Sequence, residues 1–160
     1  MDEIQRFLFG WQRVRNNVLQ AAQDMPEQFY GYALFEETRT FHEQIQHILH
    51  NADVFVDCTL NGHFNLALFD LYPYKGLAKD ALLTALAENL SAHSGKLAAQ
   101  GPAISAGMIT YLDGSERPAL EILRGMKEHE IAHLNQMYFY LRGKAITPHS
   151  TRERQKKSGH

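Results

Sequence analysis

The chain has 160 residues, 44% of them hydrophobic, and a single cysteine, Cys58. That length suits one domain with a sizeable core, and one cysteine excludes an internal disulfide framework. The net charge of −2 splits into +3 from His149 onward and −5 before it, which argues against a nucleic-acid surface.

The start, Met1-Asp2-Glu3, leads into no signal-like apolar run, and no stretch nears the ~20 apolar residues of a membrane span. These features read as a cytoplasmic protein that meets neither membrane nor nucleic acid. Residues 2–22 read as the first helix, in which Ile4, Phe7, Leu8, Trp11, Val14, Val18, Leu19 and Ala22 keep a helical period. Asp2 is its N-cap and Asp24-Met25-Pro26 its end. Trp11 reads as core rather than as a cofactor contact. Residues 25–38 form a connection with Phe29, Tyr30, Tyr32 and Phe35, which either cap the end of the fold or wall a pocket.

Thr40 opens the second helix, with Glu43 completing a capping box, and Asn61-Gly62 stops it. Phe41, Ile45, Ile48, Ala52 and Phe55 make its packing stripe. Beside that stripe run Gln44, His47, Asn51 and Val54, a helical face with a polar middle. His42 and His50 fall off this face and read as surface. Residues 61–76 lack a period and carry Pro73 and Gly76. About 16 extended residues reach roughly 50 Å, against about 27 Å for a helix of ~18 residues, so this connection can run the length of a bundle. The second and third helices therefore need not form a tight antiparallel hairpin.

The third helix spans 77–99 with Leu83, Leu86, Leu90 and Leu97 as its core stripe, and Gly101-Pro102 ends it. His93 lies on that stripe, either as a fourth polar group beside a site or at the rim. Residues 103–114 show no strong alternation, and Asp113-Gly114 is a turn. Ser115 opens the fourth helix, Pro118 is tolerated in its first turn and Gly143 ends it. The basic stretch 149–160 reads as a solvated, disordered tail after a domain of residues 1–148.

The chemistry sits in the fourth helix. Ile122, Met126, His129, His133, Gln136 and Tyr140 recur at alternating steps of four and three, the inward stripe of an amphipathic helix. His129 and His133 are one turn apart on that stripe and can bind one ion. Buried imidazoles need partners, and His47 supplies a third nitrogen from a similar face. Three nitrogens with open positions are catalytic more often than structural. Gln44, Asn51, Met126, Gln136 and Tyr140 share these stripes and are candidate pocket-lining residues. No catalytic residue is identifiable from the sequence.

The segment Arg39-Thr40-Phe41-His42-Glu43-Gln44-Ile45-Gln46-His47-Ile48 resembles the second helix of the DinB/YfiT-like family. His129 to Gln136, followed by Tyr140-Leu141-Arg142-Gly143 and Pro148, resembles that family's last helix. The resemblance covers roughly residues 4–148. It implies an all-α four-helix bundle with up-down-down-up topology and a long crossover between helices 2 and 3. It implies a divalent metal (Zn, Ni, Fe or Mn) on His47, His129 and His133, and often a homodimer; the aromatic connection at residues 29–35 is a face that a second copy can cover. It also implies a transferase that uses a low-molecular-weight thiol, such as bacillithiol or mycothiol, against an electrophile. The family often has Arg-Gly after its last histidine. This chain has Leu134-Asn135 there, which leaves the metal site intact, and the resemblance carries over no substrate contact by such an arginine.

Two other readings compete. The metal can be purely structural, tying helices 2 and 4. His129-Glu130-Ile131-Ala132-His133 also satisfies the H-E-x-x-H pattern of zinc peptidases. Gln136 and Phe139 stand where the extended motif of one such class needs Gly and His, and the only later acid is Glu153 in the basic tail. Glu130 points about 100° away from His129 on a helix. It therefore reads as a supporting or surface carboxylate rather than a base.

Overall fold

A computed structural model of the chain describes residues 1–159 and is helical through most of its length. Helix α1 (Glu3–Asp24) starts on a capping box in which Gln5 N donates to Asp2 Oδ1 at 2.7 Å and Asp2 N donates to Gln5 Oε1 at 3.1 Å. Helix α2 (Phe41–Asn61) starts on the expected Thr40–Glu43 box, with bonds of 3.2 and 2.7 Å. It stops at Gly62, whose φ of +80° suits glycine. Helix α3 (Lys79–Ala99) is followed directly by a short helix α4 (Gly101–Ala106). Strands β1 (Met108–Thr110) and β2 (Glu116–Pro118) then pair antiparallel, Ile109 opposite Arg117. Helix α5 (Ala119–Gly143) and helix α6 (His149–Lys157) complete the chain.

Side-chain contacts set the direction of each helix. Glu3 pairs with Arg124 near the starts of α1 and α5, and Arg15 pairs with Glu130 near their middles, so these two run parallel. Lys79 at the start of α3 donates to the carbonyls of Gln23 and Met25 at the end of α1, so those two are antiparallel. Asn89 and His93 on α3 both meet Asp53 on α2, and Leu77 just before α3 meets His42 at the start of α2, so α2 and α3 run together. Gln44 reaches His133, and Arg39 reaches Tyr140, which sets α2 against α5. The topology is up-down-down-up. The α1 helix packs on α3 and α5, and so does α2, leaving α1 and α2 on a diagonal.

The core falls into two apolar clusters. One gathers Trp11, Val56, Leu97 and Leu123, and the other Val18, Phe41, Leu86 and Met137. A polar layer of Arg15, Asn89 and Glu130, all buried, lies between them. Arg15 takes the inward place expected for Val14, which is only partly buried. On α3 the inward residues are Leu82, Leu86, Asn89 and Leu97, not the stripe through Leu83 and Leu90, which sit at the edges of the clusters. Apolar residues occur on nearly every side of α3. Polar contacts fix the inward face: Arg15 Nη1 donates to Asn89 Oδ1 at 3.0 Å and to Leu86 O at 3.1 Å, and Asn89 Nδ2 donates to Asp53 Oδ1 at 2.7 Å.

Two further expectations are corrected. Ser115 does not open a helix: it follows the Asp113-Gly114 turn of the β1–β2 hairpin, and α5 begins only after Pro118. Gly143 does end α5, but the left-handed residue is Ala145 at φ +58°. A Cβ at 143 would lie 2.7 Å from the Tyr32 hydroxyl, so a larger residue there would displace that side chain. The tail is not a solvated coil up to Lys157. It forms α6, docked where Asp24 Oδ1 accepts from Arg152 at 2.8 Å and Asp24 Oδ2 from His149 N at 3.1 Å.

Candidate metal centre

The parallel pair α2 and α3 requires a connection that runs the bundle's length, and residues 62–78 provide it. One face of α2 stitches this crossover down. His42 Nε2 donates to Leu77 O at 2.6 Å, Gln46 Nε2 to Tyr74 O at 2.7 Å and His50 Nε2 to Leu68 O at 2.7 Å. The Tyr74 hydroxyl donates to Asp53 Oδ2 at 2.7 Å. His42 and His50, expected at the surface, are half-buried tethers. Between this strap and α2 lies a cavity of about 620 Å³ whose floor includes His47. Tyr30 and Gly31 of the aromatic connection form part of its wall. The same connection caps the bundle: the Tyr30 hydroxyl donates to Ala22 O at 2.7 Å, and Tyr32 meets Tyr140 edge-on.

At the seam of α2 and α5 the three predicted histidines converge. His129 Nε2 lies 3.0 Å from His47 Nε2 and 3.0 Å from His133 Nε2. One ligand atom from each ring lies within 4.8 Å of the others. His133 is buried, His47 half-buried and His129 exposed, so the stripe that put both α5 histidines inside holds for His133 alone. His133 Nδ1 lies 2.7 Å from Gln44 Oε1 and 2.8 Å from Gln136 Oε1. Both partners are acceptors, so Nδ1 carries the proton and Nε2 keeps a bare lone pair aimed at the other two rings. One ring proton cannot satisfy three facing nitrogens. A cation among them can, and orientation of a ligand histidine by its other nitrogen is the usual arrangement in metal sites.

The electrostatics keep the rings neutral. Burial, then the Arg39 charge, pushes the pKa of His47 down to about 4. Burial, then the neighbouring His129, pushes His133 down to about 4, and burial followed by Arg39 lowers that of His129. Neutral imidazole is the form that binds metal.

The remaining expectations divide. Gln44 and Gln136 orient His133 rather than line the large cavity. Asn51 and Met126 line a different cavity, together with His129. Tyr140 is buried, with its hydroxyl donating to Arg39 O. His93 does not approach the centre; its Nε2 pairs with Asp53 Oδ1 at 2.6 Å. Cys58 is buried with its thiol pushed up to about 11 by burial and then by Asp57, which removes it as a nucleophile at neutral pH.

Sequence reasoning missed the role of Glu130. It is buried, accepts from Arg15 Nε at 2.7 Å and Nη2 at 3.0 Å, and takes the Trp11 indole N–H at 2.8 Å. A carboxylate held this way, on the side of α5 facing α1, is neither a surface group nor a base, and the peptidase reading loses its essential residue. A signal existed: Arg15 lies on the apolar stripe of α1 between Trp11 and Val18, and a buried cation requires a buried anion.

The up-down-down-up bundle that brings these three histidines together has the fold of a known DinB-like protein. A crystal structure of a DinB-like protein from Bacillus subtilis, YjoA, matches this chain with a TM-score of 0.74 over 89% of this chain and 94% of that one. The two are 18% identical in sequence, so the likeness is one of fold. No protein-family model matches the sequence, and no curated protein matches it. Among the described residues no helix is long and apolar enough to cross a membrane.

Proposed function

We propose that this protein holds one divalent transition metal on His47, His129 and His133 and uses it in transfer of a low-molecular-weight thiol to an electrophile. The observation that carries the reading is the convergence of three Nε2 atoms beside a cavity, with the His133 tautomer set by Gln44 and Gln136. A metal bound there supplies Lewis acidity that stabilises a thiol as its thiolate at neutral pH. The protein's own part is to keep the imidazoles neutral through burial and Arg39, to orient His133, and to screen the reacting groups with the tyrosine-lined strap. In the reaction the sulfur forms a bond to an electrophilic carbon, the bond from that carbon to its leaving group breaks, and the leaving group departs with the electron pair. The thiol proton passes to solvent.

Three protein donors leave positions for other ligands, whereas structural sites are closed by four. That favours turnover over a metal that only ties α2 to α5. The test is metal content together with thiol-dependent consumption of 1-chloro-2,4-dinitrobenzene. Stoichiometric metal with no thiol-dependent rate across several small thiols would assign the site a structural role. Reduced small thiols are abundant in the cytoplasm, where we place the protein. We also infer a homodimer through the connection at residues 29–35, supported by Phe35, which is 73% exposed. Sedimentation showing only an 18 kDa species at micromolar concentration would remove that assembly.

A further inference from the structure

The three-nitrogen centre is approached from two sides. The cavity under the crossover strap ends on His47. A separate cavity of about 480 Å³, between α2, α5 and the β1–β2 hairpin, ends on His129. His133 lines neither. The two differ in chemistry. Tyr30, Tyr72 and Tyr74 wall the first; in it Glu43 caps α2, His42 and His50 hold carbonyls, and Lys75 is a single cation with no ion-pair partner among the described residues. The second carries both signs of charge, Arg117 and Arg124 with Glu121 and Glu128, beside Ile122 and Met126.

Arg117 is pinned in place. Its Nε donates to Ser115 Oγ at 3.2 Å, its Nη2 donates to Asp113 Oδ2 at 3.1 Å, and its guanidinium lies 3.7 Å from the centroid of the Tyr111 ring. Its Nη1 has no hydrogen-bond partner among the described residues, and neither Glu121 nor Glu128 forms an ion pair among them. A guanidinium held on three sides with one amino group free is preorganised to take a carboxylate, because little side-chain entropy remains to be lost. The neighbouring carboxylates suit an ammonium group.

We propose that the cavity ending on His129 receives an amino-acid-like thiol, bearing a carboxylate and an ammonium, with Arg117 holding the carboxylate while the sulfur reaches the three-histidine centre. The aromatic cavity at His47 is then left to the electrophile. This rests on the metal-and-thiol reading above and adds the class of thiol and the side from which it arrives.

The test uses the full chain loaded with cobalt(II) and follows the thiolate-to-cobalt charge-transfer absorption as cysteine, 3-mercaptopropionate or 2-mercaptoethanol is added. Cysteine and 3-mercaptopropionate bind more tightly than 2-mercaptoethanol. Arg117→Ala weakens both acids about tenfold, the scale of one charge-assisted hydrogen bond, and leaves 2-mercaptoethanol unchanged. Arg117→Lys, which keeps the charge but not the planar fork, restores part of the loss. Lys75→Ala, in the other cavity, leaves the affinity for all three thiols unchanged. The assignment is overturned if cysteine binds no better than 2-mercaptoethanol, or if Lys75→Ala weakens it while Arg117→Ala does not. If the cobalt-loaded protein shows no band with any thiol, the thiol reading itself fails; a band without preference for the acids removes only the docking assignment.

Discussion

On the side of α5 that faces α1, Glu130 meets Arg15 and Trp11. One residue earlier and three later, toward α2, His129 and His133 meet His47. Both clusters are polar and both lie at mid-bundle, yet they are built to different ends. Around Glu130 the groups are matched: two guanidinium nitrogens and an indole N–H meet two carboxylate oxygens, and the third guanidinium nitrogen meets Asn89 and Leu86 O. Around His133 the groups are unmatched, with Nε2 atoms 3.0 Å apart and a proton fixed on the far side of the ring. A saturated polar cluster belongs to the fold, and an unsaturated one that borders cavities is a place for something else to bind.

Removing one member of each cluster separates the two roles. Glu130→Ala leaves Arg15 buried without its counter-charge and should destabilise the protein by about 3–5 kcal/mol whether or not metal is present. Urea denaturation with and without chelator measures this, and equal losses in both are the expected result. His133→Ala should instead abolish the metal-dependent part, ~2.7 kcal/mol at a free metal concentration 100 times the dissociation constant, and leave a folded bundle. If chelator shifts wild type and His133→Ala equally, the centre does not hold metal.

Acid sharpens the contrast further. His47 and His133 have folded pKa values of about 4, below the ~6.5 of an unfolded histidine. Between those values the unfolded chain binds more protons, so stability rises with pH across the window. The contribution is fully present above ~6.5 and is lost as pH falls toward about 4. Solvent at the half-buried His47 reduces its size. The urea midpoint of metal-free protein, followed from pH 7.5 to 4.5, should fall; Glu130→Ala should retain that slope, while His47→Ala should reduce it and leave the part due to His133. The smallest effect belongs to the strap. His42→Ala removes one bond to Leu77 O and should cost ~1 kcal/mol, independent of metal, in the same denaturation assay.

What could be read from the sequence was local. The Thr40–Glu43 capping box is a four-residue pattern, and it forms as written. His129 and His133 are one turn apart on any helix, and His47 was reached through the polar break in its own stripe. The four long helices followed from periods and stop signals, and chain reach allowed a connection between the second and third that runs the length of the bundle. The resemblance supplied the topology.

Tertiary structure decided what depends on partners far along the chain. Arg15 and Glu130 are 115 residues apart, and nothing local marks them as a pair beyond a charge on each inward face. The register of α3 could not be read because its apolar residues fall on most sides, and Asn89 turns inward to partners on two other helices, Arg15 and Asp53. The β1–β2 hairpin is too short for alternation to show, so the placement of Arg117 beside the His129 cavity was invisible. The α6 helix has a hydrophilic sequence without an apolar stripe, and it docks because Asp24, at the other end of the chain, offers two oxygens to it. A period of 3.6 residues records which face a helix buries. It does not record which remote side chain will be waiting there.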